Sequence, residues 1–188
     1  MKFNRTFVLS LIIMVVITAL YRILPNRPLG FAPQLAVALF SGFLFRSNKK
    51  YALLMPLLSM LLSDVLYELL FINGMSSIRG FYGGMWLNYL LFVSVSFIGF
   101  TIQKAASIRT LVATIASPLA FFLVSNFIVW ASRGGFVRPL TMDGLILCYG
   151  DGLPFLRGSI LATICFSAIF FGVYQLISQK NTVAKASV

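Results

Sequence analysis

"YALLMPLLSMLLSDVLYELLF", residues 51–71, runs for 21 residues with two carboxylates and no basic residue. A stretch of this length and apolarity matches the roughly 30 Å hydrocarbon core of a bilayer, which a helix crosses in about 20 residues. It predicts a membrane-spanning helix that carries Asp64 deep in its sequence, with Glu68 one turn later on the same face. A carboxylate inside a bilayer costs about 2.5–3.5 kcal/mol at mid-helix, so such groups turn toward the bundle and find partners. Asp64 is therefore expected to line a cavity or to pair with a buried arginine.

The surrounding chain repeats the pattern. Apolar stretches at 7–24, 29–45, 81–101, 110–131 and 158–178 bring the expected number of spans to six. Hydrophobic residues make up 60% of the chain and charged residues 10%, against about 25% charged in a soluble domain. Lys2 and Arg5 before the first stretch suit a signal peptide, but no A-x-A site follows and the rest is itself membrane-like. The reading is an all-α integral membrane protein: a single domain over 1–180 and a tail over 181–188.

Charge orients it. With the N-terminus in the cytoplasm, Lys2, Arg5, Arg46, Lys49, Lys50, Lys104, Arg109, Lys180 and Lys185 fall inside with no acid among them. Arg22, Arg27, Arg79, Arg133, Arg138 and Arg157 fall outside with all four acids of the chain. Every lysine is inside, as the positive-inside rule requires, and both termini are cytoplasmic. The net charge of +11 thus reflects membrane orientation rather than nucleic-acid binding, for which no basic helix or RNP-like aromatic stripe is present.

"DGLILCYGDGLPFLRG", 143–158, holds two of the four acids. Its apolar stretch is too short to span, and Gly144, Gly150, Gly152 and Pro154 predict turns around a short interfacial or re-entrant helix before the sixth span. Asp151 with Arg157 or Arg138 is the expected latch holding that helix as a lid.

Polar and aromatic residues mark an outward-facing cavity. Tyr82, Trp86 and Tyr89 form one stripe at the start of the fourth span, and Asn126 and Trp130 recur at i and i+4 in the fifth. The candidate substrate-binding set is Asp64, Glu68, Arg79, Tyr82, Trp86, Tyr89, Asn126, Trp130, Asp151 and Arg157. No histidine exists, and Cys148 and Cys165 lack metal-ligand spacing, so neither metal nor cofactor is expected. No Ser-His, Cys-His or HExxH arrangement is present, and the chain is not read as an enzyme. Ala32/Ala36 and Ala38/Gly42 have small-xxx-small spacing.

"FAPQLAVALFSGFLF", "YALLMPLLSMLLSDVL", "GFYGGMWLNYL", "SNFIVW" and "CYGDGLPFLRGSILATICF" resemble an uncharacterised family of small bacterial membrane proteins carried under a transporter label. That family is similar to the substrate-binding S-components of energy-coupling-factor vitamin transporters. The resemblance implies a six-helix, multi-pass protein of the bacterial inner membrane that takes up a small, vitamin-like organic solute from outside. It implies an ATP-driven coupling complex supplied by other chains, since no GxxxxGK[ST] motif is present, with Ala32, Ala36, Ala38 and Gly42 as counterparts of the coupling face. Metal-ion S-components use an N-terminal histidine motif, which is absent. Membrane lipids are the other expected partner. A membrane enzyme acting on lipid headgroups and a structural or assembly protein without ligand are the alternatives.

Overall fold

The computed structural model describes residues 5–186, folded as six helices and, among the described residues, no strand. In chain order they are α1 (Arg5–Arg22), α2 (Gln34–Leu44), α3 (Lys49–Ile72), α4 (Met85–Phe100), α5 (Ile108–Ala131) and α6 (Met142–Ala186). Lys49–Ile72, Ile108–Ala131 and Met142–Gln179 are long and apolar enough to cross a membrane; Leu11–Arg22, Gln34–Leu44 and Met85–Phe100 are shorter apolar helices. By helix length and composition the chain is a membrane protein. Its outward faces are apolar, as bilayer contact requires: Ile12, Ile13, Ile17, Leu111, Val112 and Leu161 are all exposed.

Helix α2 is the hub. Residues Gln34 to Phe43 are all buried, and α2 packs on α3, α4, α5 and α6. Its tightest neighbour is α4, because Gly42 and Gly99 remove side chains from the crossing. A Cβ on Gly42 would overlap the Ser96 carbonyl oxygen, and one on Gly99 would overlap that of Leu39. The small residues at 36, 38 and 42 thus serve the bundle's own interior. Ala36 and Ala38 are fully buried, which leaves them no surface to offer another chain.

The proline inside α3 has a visible structural consequence. Pro56 lacks the N–H that would bond the carbonyl four residues earlier. That carbonyl, on Ala52, instead accepts the hydroxyls of Ser41 from α2 at 2.9 Å and Ser96 from α4 at 3.3 Å. A backbone defect becomes a three-helix junction.

The expected short re-entrant helix before the sixth span is not what forms. Helix α6 runs unbroken from Met142 to Ala186, with Pro154 inside it, and so extends into the segment read as a tail. The glycines do not turn the chain: Gly144, Gly150 and Gly152 all lack positive φ. Gly152 instead seats α6 against Phe122 and Asn126 of α5, and Gly144 seats it against Pro139. Close packing, not backbone freedom, is the reason for Gly144 and Gly152, whereas a Cβ on Gly150 would meet nothing within 4 Å. Pro154 deprives only the Gly150 carbonyl of its helical partner.

Neighbouring contacts set the directions. Thr18 meets Ser59 and Arg22 meets Ser63, so α1 and α3 are parallel. Phe40 meets Phe170 and Phe171, and Phe43 meets Tyr174, so α2 and α6 are parallel. One end of the bundle carries the connections 23–33, 73–84 and 132–141, and the other carries 45–48 and 101–107. Asp64, Glu68, Asp143 and Asp151 belong to the first end. Among the described side chains the second end has Arg46, Lys49, Lys50, Lys104 and Arg109 and no acid. Lys2 lies outside the described residues.

The 23–33 connection sits low. Arg22 is level with Ser63, and α3 runs nine residues further to Ile72, about 14 Å of helix at 1.5 Å per residue. Gly30 is level with Ser159, whose hydroxyl donates to its carbonyl at 3.2 Å, and α6 begins seventeen residues earlier, about 25 Å of helix. The α3–α4 and α5–α6 hairpins therefore rise on either side of a sunken α1–α2 loop.

Candidate functional site

The first polar group lies where α1, α3 and α4 meet. Asp64 is 1% exposed and forms a salt bridge with Arg22 through Oδ1. Its Oδ2 accepts the Tyr89 hydroxyl at 2.6 Å. Arg22 also donates to the Ser63 hydroxyl at 2.5 Å. The Arg22 carbonyl accepts the Tyr67 hydroxyl at 2.6 Å, and the Tyr67 ring lies 5.5 Å from the guanidinium carbon. The sequence places Ser59, Ser63 and Tyr67 at four-residue intervals, so one face of α3 presents the whole polar strip to α1. Asp64 does pair with an arginine, but Arg22 is partly exposed, at 16%, rather than buried.

Glu68, one turn outward, accepts the backbone N–H groups of Gly80 and Phe81 at 3.0 and 3.1 Å. It ties the 73–84 loop onto α3, and Gly80 is needed there because a Cβ would overlap the Asp64 carbonyl oxygen. Arg79 is exposed, with its guanidinium carbon 4.8 Å from the Phe71 ring centroid. Tyr82 is exposed and its hydroxyl accepts the Asn88 amide at 2.7 Å. Trp86 is 68% exposed and meets the Tyr89 ring edge-on at 5.5 Å.

The second group lies on the α5–α6 hairpin. Asn126 donates to the Phe122 carbonyl at 2.9 Å, and its own carbonyl accepts the Cys148 thiol at 3.5 Å. Trp130 donates to the Pro139 carbonyl at 2.9 Å. Arg138 grips Asp151 with both arms of its fork, Nε at 2.8 Å and Nη2 at 2.9 Å, and this hydrogen bonding raises the Arg138 pKa above its ordinary value. Of the two expected latch partners Asp151 takes Arg138. Arg157 is exposed and has no ion-pair partner among the described residues. No hydrogen bond or ring contact joins Asp64, Tyr89 or Trp86 to Asn126 or Trp130, so the expected lining set falls into two groups.

The latch restrains a strained loop. Arg133 and Val137 both hold positive φ, 55° and 50°, which side chains adopt only when held there. Asp151→Asn is expected to speed amide exchange at Val137 and Arg138 by about three- to tenfold while the α5 core remains protected. Exchange mass spectrometry checks this; unchanged loop exchange would show that the loop is held without the pair.

A third feature escaped the sequence reading. Gln34, the first residue of α2, is 2% exposed, and neither its Oε1 nor its Nε2 has a hydrogen-bond partner. A buried unsatisfied amide costs about 1–3 kcal/mol. The only signal was one amide in "FAPQLAVALF", beside Pro33 at the mouth of an apolar run. Among the described residues no group of three or more Cys, Asp or Glu could hold a metal ion.

No curated protein and no solved structure matches the chain. A family model matches residues 1–186, nearly the whole length, and by it the chain belongs to a family of unknown function (DUF6580).

Proposed function

We propose that the chain is a transport protein that binds a small organic solute in a vestibule at its acid-bearing end, in the manner of an S-component. In this reading all six helices span the bacterial inner membrane, both termini are cytoplasmic, and the vestibule faces outward. The observation that carries it is Gln34. Its amide offers two donors and an acceptor, all unused, directly beneath the sunken α1–α2 loop. A solute with a polar edge satisfies such a group, and a site built to hydrogen-bond its ligand discriminates strongly against analogues that cannot reciprocate. Asp64, Glu68 and Asp151 are already committed to internal partners. They hold the hairpins that wall the vestibule. Tyr82, Trp86, Asn126 and Trp130 stand on those walls.

Native mass spectrometry of the purified full-length protein is expected to show a co-purified small molecule. Gln34→Leu is expected to lose it while melting at the same or a higher temperature, because the substitution removes an unsatisfied polar group. Retention of the molecule by Gln34→Leu would overturn the reading.

The orientation is tested separately. In a background lacking Cys148 and Cys165, a cysteine at position 75 is expected to react with an impermeant maleimide on intact cells. Cysteines at 2 and 185 should react only after lysis. Labelling of 185 from outside would overturn the six-span topology.

A further inference from the structure

The α1–α2 loop crosses α6 at close range. A Cβ on Gly158 would overlap the Leu29 carbonyl, and one on Gly30 would overlap that of Phe155. Arg27 and Arg157 flank this crossing, three residues from Gly30 and one from Gly158. Neither has a carboxylate. Arg27 is half-buried and its one hydrogen bond goes to the Phe31 carbonyl at 3.3 Å. Arg157 has no partner among the described residues and stands one turn from the exposed apolar residues Leu153 and Leu161. The acids are committed elsewhere: Asp64 to Arg22, Glu68 to two backbone amides and Asp151 to Arg138. Asp143 is in the first turn of α6, sixteen residues before Ser159, about 24 Å away along the helix. Beside this crossing, therefore, two guanidinium groups, one half-buried and one exposed, stand without a carboxylate among the described residues.

We propose that this crossing is an oxyanion site, in which Arg27 and Arg157 hold a phosphate or carboxylate. The proposal rests on the solute-binding reading and names the class of solute: an organic anion whose oxyanion lies on the two arginines and whose polar edge reaches Gln34. Guanidinium forks match the planar spacing of such oxygens, which lysine would not. A phospholipid headgroup entering between α1 and α6 offers the same chemistry.

The test uses the full-length protein in dodecyl maltoside, free of phosphate, with Arg27→Gln, Arg157→Gln and, as a remote control, Arg133→Gln. Thermal shifts are titrated with inorganic phosphate and with succinate against chloride at matched ionic strength. Native mass spectrometry follows incubation with phosphatidylglycerol. Wild type and Arg133→Gln are expected to bind phosphate or succinate alike, with affinity about tenfold or more weaker in Arg27→Gln and Arg157→Gln. Retention of phosphatidylglycerol instead, lost in those two variants, assigns the site to a lipid headgroup. If the glutamine variants do not fold, Arg27→Lys and Arg157→Lys keep the charge without the fork and are expected to show the same loss. No response in wild type, or an equal loss in Arg133→Gln, would overturn the site. A neutral co-purified solute held equally by wild type and both arginine variants would reject the oxyanion but leave the solute-binding reading intact. Phosphate binding with no co-purified solute would do the reverse.

Discussion

Asp64→Ala is expected to destabilise the protein by about 3 kcal/mol, because it removes the buried member of the pair and leaves the partly buried Arg22 guanidinium without its counter-charge. For a chain of this size that corresponds to a fall in melting temperature of roughly 10 °C. The loss spreads beyond the pair, since Tyr89 loses its acceptor and α4 one of its polar ties to α3. Asp64→Asn keeps the shape and removes the charge, and should lie between wild type and alanine. The double variant Arg22→Leu/Asp64→Leu is expected to recover much of the lost stability, because replacing a whole buried pair is far less costly than orphaning one member. Thermal unfolding of wild type, Arg22→Leu, Asp64→Leu and the double variant in one detergent closes the cycle. Additive losses in the double variant would show that Arg22 and Asp64 act independently.

Gly42→Leu is expected to have the other large effect. At Gly42 the α2 and α4 backbones are in contact, so any side chain must push two helices apart. Helix α2 is packed on four others and cannot move alone. Overpacking typically costs 1–3 kcal/mol; here the obstacle is backbone, which does not rotate aside, and loss of the monodisperse folded protein is the expected outcome. Gly172→Ala is the matched control. It lies inside α6 with nothing within 4 Å of the added carbon, so it should be neutral or stabilise by up to about 1 kcal/mol through helix propensity. Size-exclusion profiles and melting temperatures of the two variants separate packing from propensity. A well-folded Gly42→Leu would mean that α2 and α4 are not held at this distance.

The apolar stretch at 51–71 and its neighbours determined by themselves that the chain folds as apolar helices, because the length and apolarity of a stretch are local properties that a bilayer reads directly. The acidic pair on α3 was legible for the same reason: helical periodicity puts Asp64 and Glu68 on one face, and a costly carboxylate demands a partner. Which partner it takes was not legible. Arg22 and Asp64 are 42 residues apart, and only the parallel packing of α1 on α3 brings them together.

The 143–158 stretch marks the limit more sharply. Its glycines and proline read as turn signals, since glycine permits turning and close approach equally and the sequence does not distinguish them. The tertiary structure decided for approach, because α5 lies against Gly152 and Pro139 against Gly144. The choice of Arg138 over Arg157 follows from the same packing. With α6 unbroken, Arg138 in the preceding loop reaches Asp151, while Arg157 is left beside the α1–α2 crossing. Gln34 shows the converse. Its residue type is unremarkable, and its significance comes wholly from being placed in the core with no hydrogen-bond partner, a property of the assembled bundle that no local pattern carries.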